Sequence, residues 1–228
     1  NTFLDYFFFE NRLMTKSRKG INFIEFYERI KKAKKIPPSL ENFYVWNQKN
    51  SNKNNITILY DYFRLYYGSI NQFKPMTAKK IYCEFKPKKI LDFSAGWGGR
   101  LLAAISLGIP YIGFDTNINL KEGYDSIIKI LKPKDTKIIY KDSSMVDYSK
   151  YKYDMVFTSP PYYTIEKYEN MPEYDTKNSF NENFLFPVVK NTYKYLSKGG
   201  TYALNIPKYI YDTIIPILGK AHMLIPLK

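Results

Sequence analysis

The stretch Thr158-Ser159-Pro160-Pro161-Tyr162-Tyr163 holds the residues best placed for chemistry. It follows an apolar run, residues 153–157 (YDMVF), that reads as a buried strand. Two prolines end that strand and stiffen the backbone just beyond it. An aromatic ring then sits at the strand's carboxyl end, where open α/β sheets bind ligands. A rigid backbone beside an exposed ring suits the gripping of a ligand; alone, it is also an ordinary strand-ending turn.

Three further groups fall at strand ends upstream. Residues 92–100 read DFSAGWGGR, and Gly96 and Gly98 let a backbone approach a ligand closely before a helix begins. The loop is neither a Walker loop nor GxGxxG, and a tight strand-to-helix turn is its plainer reading. Asp115 follows a second strand at the distance where an acidic residue accepts both hydroxyls of a ribose; a helix cap is the alternative. Asp142 and Ser143 follow a third strand. A carboxylate there can accept from an adenine amino group, and again a cap is the alternative.

These groups need strands and helices to hold them. Residues 89–93, 111–115, 137–140, 153–157 and 200–206 read as strands. Residues 100–107, 120–131 and 183–196 read as helices between them. The alternation predicts a parallel, doubly wound α/β sheet with its loops gathered along one edge. Residues 1–70 read differently, as a helical, basic extension. Residues 21–35 and 56–67 have helical apolar spacing, and the polar tract 47–55 (NQKNSNKNN) reads as a loop. The expected division is residues 1–70 and 71–228.

The chain has 228 residues, 45% hydrophobic, and a net charge of +14. Residues 1–80 hold 15 basic against 6 acidic side chains, so +9 of that charge lies in the first third. Such a balance suits a polyanion such as nucleic acid, or only a solvated basic surface. Stacking rings interleaved with cations suit single strands; the same rings can also form a small helical core. The single cysteine, Cys83, makes no internal disulfide, which points to a reducing compartment, cytoplasmic or nuclear. With one histidine, His222, clusters for metal or proton relay are excluded. No apolar run reaches the ~18 residues of a membrane span.

With these motifs assembled, the chain resembles the S-adenosylmethionine-dependent amino-methyltransferases of DNA, of the N4-cytosine and N6-adenine type. These carry a glycine motif, typically FxGxG, after the first strand and (D/N/S)PP(Y/F/W) after the fourth. Here FSAGWG, residues 93–98, and SPPY, residues 159–162, match. Residues 73–82 stand where one subclass places an extra cofactor-contacting segment. The resemblance covers residues 71–210 and implies a Rossmann-like class I methyltransferase fold. It also implies S-adenosyl-L-methionine as cofactor and no metal. It places Phe93, Ser94, Ala95, Gly96 and Gly98 around the methionine part, with Asp92 at its ammonium. Asp115 would hold the ribose, and Asp142 with Ser143 the adenine. Trp97 would pack over the cofactor or fill the core.

The resemblance gives Ser159-Pro160-Pro161-Tyr162 the catalytic role. The Ser159 hydroxyl and the Pro160 carbonyl would accept from the exocyclic amino group of a flipped-out base, and Tyr162 would stack on it. SPPY leans toward cytosine N4. An RNA amino-methyltransferase (guanine-N2 or adenine-N6) and a non-catalytic nucleic-acid-binding subunit are the other readings. The long loop 162–174 is expected to be a lid or a substrate contact. Between Ile206 and Lys228 there is too little chain for two more strands and a target-recognition domain, so a truncated C-terminus or a partner subunit supplying recognition is expected. Abundant Lys, Asn, Ile and Tyr suggest an AT-rich, viral or phage genome, hence a restriction-modification or host-cytoplasm setting.

Overall fold

The computed structural model describes residues 2–163 and 172–226. Most of the long loop expected to be a lid, residues 164–171, lies outside the described residues. The chain divides into two compact units. One takes the first segment up to Phe8, Gln72–Tyr163 and the chain beyond the undescribed stretch; the other is Phe9–Asn71.

The sheet-bearing unit contains five strands: β1 (Ile90–Asp92), β2 (Tyr111–Asp115), β3 (Thr136–Tyr140), β4 (Met155–Thr158) and β5 (Thr201–Leu204). All four pairings are parallel and the order is β3-β2-β1-β4-β5. The chain therefore reverses direction across the sheet between β1 and β4, the switch point where such folds open a crevice beyond the carboxyl ends of the strands. Strands β1, β2 and β4 are buried almost throughout, as parallel strands covered on both faces must be. Around the sheet run α5 (Pro75–Phe85), α6 (Gly99–Ser106), α7 (Lys121–Leu131), α8 (Lys177–Phe180), α9 (Phe186–Lys194) and α10 (Lys208–Leu218). A π-helical turn, Asn181–Leu185, joins α8 to α9. Core residues Leu91, Phe93, Ile112, Phe114, Val156, Leu185, Val188 and Ile210 pack together.

Helix α1 (Thr2–Met14) begins in this unit. Leu4 and Phe8 are each 1% exposed. They lie 3.3 and 3.1 Å from where a Cβ on Gly98 would stand. Leu4 and Phe8 thus pack against the glycine loop.

The second unit holds α2 (Phe23–Lys32), α3 (Pro38–Asn50) and α4 (Asn55–Tyr66). Asn22 starts α2 with a full capping box: its side chain accepts from the Glu25 N–H at 2.8 Å, and its own N–H donates to the Glu25 carboxylate at 3.1 Å. Phe23, Phe26, Leu40, Tyr62 and Phe63 form the core of this unit. Its central rings are therefore structural, while the basic run Arg29 to Lys35 and Trp46, 62% exposed, face solvent. The polar tract expected to be a loop is half helix. Residues 47–50 are the last turn of α3, and only 51–54 link to α4. Pro38 starts α3 at its first turn, and Leu40 and Asn47, both buried, hold its inner face. Asn47 donates to the Phe43 carbonyl at 2.9 Å, so a residue that reads as polar loop is an inward helix position.

Among the described residues no helix is long and apolar enough to cross a membrane. None of their His, Cys, Asp and Glu side chains group in threes to hold a metal.

Gly99 opens α6 under the carbonyl of Phe73, whose oxygen would lie 1.9 Å from an added Cβ. Replacing Gly99 by Ala is expected to cost about 1–3 kcal/mol in urea unfolding, the usual range for overpacking. An unchanged midpoint would contradict this packing.

Candidate active site

The carboxyl ends of the five strands gather the motifs. Beyond β1 the chain turns into α6 through Gly96 (φ 60°) and Gly98 (φ 73°), conformations that strain any residue with a Cβ. Each of the other three motifs donates to, or accepts from, this one segment. The Gly96 N–H donates to Asp115 Oδ2 at 2.7 Å. The Ser143 hydroxyl donates to the Phe93 carbonyl at 2.5 Å. The Ser94 hydroxyl donates to the Ser159 carbonyl at 3.0 Å. Thus the ends of β2, β3 and β4 are all tied to the loop after β1.

Beneath this layer lies Asp92, which is 0% exposed. Its Oδ2 accepts from Arg100 Nε and from the Tyr111 hydroxyl, both at 2.5 Å. Its Oδ1 accepts from the Thr158 hydroxyl at 2.7 Å, the Ser94 N–H at 3.2 Å and Arg100 Nη2 at 3.3 Å. Arg100 Nη2 also donates to the Ser94 carbonyl. Burial by itself would lower the pKa of Arg100. The adjacent Asp92 carboxylate outweighs burial and holds the guanidinium above its ordinary value. Burial first, and the Asp92 charge second, push the Tyr111 phenol up. Asp92 was expected at a ligand's ammonium. With five donors on two oxygens and no exposure, it acts here as a scaffold carboxylate, and a ligand contact from it would require releasing one of these bonds.

The other expected cofactor residues sort by exposure. Phe93 and Ala95 are 1% and 2% exposed with their side chains in the core, so only their backbone is placed to meet a ligand. Asp115 remains half-buried and accepts from two backbone N–H groups, Gly96 and Asn117 at 2.9 Å. It makes the turn contact of the cap reading while staying partly open. Burial raises its pKa to about 6, against the lowering from those two N–H bonds. Asp142 accepts from the Ser144 N–H at 2.8 Å and from the Ser144 hydroxyl at 2.7 Å, a local turn with its side chain half-buried. Trp97 is 5% exposed, and its Nε1 has no partner. The Tyr140 hydroxyl, at the end of β3 beside Asp115 in the sheet register, is also buried without one. Burial, then the charges of Asp125 and Asp115, push that phenol up.

At the end of β4, Pro160 is buried and Ser159, Pro161 and Tyr162 are half-buried. The Ser159 hydroxyl lies 2.9 Å from the Tyr162 hydroxyl, which donates to the Asn205 carbonyl at 2.7 Å. Asn205 Nδ2 donates to Ser159 Oγ at 3.1 Å. Sequence reasoning did not single out Asn205. Its signal was an amide closing the apolar run of the fifth strand (TYALN), at the edge where the other motifs end. Arg100 and Thr158 stand inside the motifs read from the sequence, but no role was read for either. A charged residue opening an otherwise apolar helix (RLLAAIS) was the available sign of the first.

No protein-family model and no curated protein matches the chain. Among solved structures it is similar to the N-terminal domain of EvdMO1, solved with SAH and D-fucose, at 19% identity over 40% of each chain with a TM-score of 0.35. It is similar to TrmN from Thermus thermophilus at 15% identity over 59% of this chain and 39% of that one, TM-score 0.45. A precorrin 8w decarboxylase from Methanobacterium thermoautotrophicum shares 11% identity over 65% of this chain and 74% of that one, TM-score 0.47. The chain thus spans about 40% of the length of EvdMO1's N-terminal domain and of TrmN. With every one of these scores below 0.5, the fold class rests on the chain's own strand order and parallel register.

Asp115 carries a pH signature. Its folded pKa lies above the value of a free carboxyl, so the folded state holds the proton more tightly between about pH 4 and about pH 6. The stability contributed by that proton is present below the unfolded pKa and is lost as pH rises through about 6. Relative to wild type, Asp115→Asn should therefore gain stability steadily across that window, read from urea midpoints at each pH. A constant difference would contradict the assignment.

Proposed function

We propose that the chain is an S-adenosylmethionine-dependent methyltransferase acting on the exocyclic amino group of a DNA base, cytosine N4 before adenine N6. One observation carries the reading. The glycine loop after β1 is hydrogen-bonded to the SPPY segment after β4 across the switch point, through Ser94 and the Ser159 carbonyl. A cofactor loop and an amino-binding motif are thereby locked side by side.

The residues present fit such a cofactor. Asp115 keeps a half-buried carboxylate at the end of β2, where a ribose would meet it. At Gly96 no side chain lies within 4 Å of where a Cβ would stand, and Trp97 Nε1 and the Tyr140 hydroxyl are buried polar atoms still lacking partners. The bound cofactor supplies an electrophilic methyl group on a positive sulfur. Ser159 and the Pro160 carbonyl accept from the two N–H bonds of the amino group. They draw its lone pair out of the ring and aim it at the methyl carbon. After transfer the nitrogen would lose one of the two protons that face Ser159 and the Pro160 carbonyl, to solvent water. Proline rigidity keeps the carbonyl in place during this step. The net charge of +14 favours a polyanionic substrate.

The test is incubation with methyl-labelled cofactor and, separately, single-stranded DNA, duplex DNA and RNA, followed by digestion to nucleosides. Label on an amino-methylated deoxynucleoside is expected. Label on RNA alone would move the substrate to RNA, and no label with cofactor bound would contradict the reading. In the active protein, Tyr162→Ala should lower turnover roughly 10- to 100-fold, the worth of one stacked base, while cofactor affinity stays unchanged. Full activity in this variant would remove Tyr162 from the base site.

A further inference from the structure

Asn205 lies one residue beyond β5 and continues its pairing with β4, donating its N–H to the Thr158 carbonyl at 2.9 Å. Its side chain and carbonyl close a ring of hydrogen bonds with Ser159 and Tyr162, and the directions of those bonds can be worked out. A carbonyl only accepts, so the 2.7 Å contact between Tyr162 Oη and the Asn205 carbonyl uses the single phenol proton. The 2.9 Å contact between Ser159 Oγ and Tyr162 Oη must then be made with the serine's proton. Asn205 Nδ2 donates to Ser159 Oγ at 3.1 Å and, more weakly, to the neighbouring Tyr162 Oη at 3.3 Å. The reversed amide would set its oxygen 3.3 Å from a phenol oxygen whose proton is already used, so the nitrogen orientation is the one that satisfies the ring.

The consequence falls on Ser159. Its proton is spent on Tyr162, and one lone pair is taken by Asn205. What remains is a lone pair, so Ser159 can accept a hydrogen bond from a ligand and cannot donate one. We propose that Asn205 is a positioning residue: its carbonyl, through the Tyr162 hydroxyl, makes Ser159 an acceptor-only group, and its side-chain amide aims the remaining lone pair, restricting the site to substrates whose methylated atom carries hydrogen. This inference rests on the amino-methyltransferase reading and extends it. A primary amino group offers the N–H that Ser159 requires. A ring nitrogen, a carbonyl or a thioether presents only a lone pair against a lone pair, and is turned away.

The test is Asn205→Asp, nearly the same shape with the donor removed, in the full chain. The introduced carboxylate would take the serine's proton in place of Tyr162, rotating the hydroxyl so that its free lone pairs no longer face the substrate's N–H. Near pH 8, turnover on the amino acceptor used by the wild type should fall about 100-fold, the scale of a misoriented reacting group, with cofactor affinity by calorimetry unchanged. As pH falls toward the ordinary carboxyl range the introduced group gains a proton and again donates, so the gap from wild type should narrow. Asn205→Ala, with nothing to protonate, should show a gap that does not change with pH. Wild-type turnover in Asn205→Asp near pH 8, a pH-independent gap for it, or loss of cofactor binding would overturn the proposal alone. A wild-type chain that binds cofactor yet methylates no amino group would overturn the underlying reading and this proposal together.

Discussion

One buried carboxylate organises the sheet-bearing unit. Asp92 ends β1 with no solvent contact and two oxygens shared among Arg100, Tyr111, Thr158 and the Ser94 N–H. Removing an ion from water is costly, and a buried pair is seldom a net source of stability over a well-packed apolar alternative. What it gives is geometry. Every group on Asp92 comes from a different place in the chain: the helix after the glycine loop, the second strand, the fourth strand and the loop itself. Each of these bonds ties one segment to the same two oxygens, so the four segments are held in one arrangement.

That arrangement decides what can sit at the switch point. Thr158 gives its proton to Asp92, and the single proton of the Ser94 hydroxyl is shared between Thr158 Oγ1 at 2.6 Å and the Ser159 carbonyl at 3.0 Å. The glycine loop and the SPPY segment are therefore parts of one hydrogen-bonded layer. Above it, the Ser159–Tyr162–Asn205 ring repeats the device between β4 and β5. Positioning of this kind is what a direct group transfer needs, because no covalent intermediate is available to hold the reactants.

The sheet was legible because its strands are short apolar runs cut by glycine, proline or polar turns. Tyr111–Asp115, between Pro110 and Thr116, is the plainest case. The end of α3 was not, since Asn47 looks like loop until the burial of Leu40 fixes the helix face. Helix α10 went unread, although Pro207 precedes it and Ile210 and Ile214 are buried at helical spacing. At the site, residue types and strand ends could be read, but not hydrogen-bond partners. Asp92 reads as a ligand contact in a sequence because nothing local reveals that Arg100, eight residues on, folds back to it. Asn205 is invisible for the same reason: its partner lies 46 residues upstream.

The coupling between β1 and β4 can be measured directly. A double-mutant cycle with Asp92→Asn and Thr158→Val, read by urea unfolding, isolates the bond that joins the two strand ends. The account predicts that the two substitutions are non-additive by about 1–3 kcal/mol. Effects that add to within about 0.5 kcal/mol would mean that the carboxylate and the fourth strand act independently, and the shared layer would not exist.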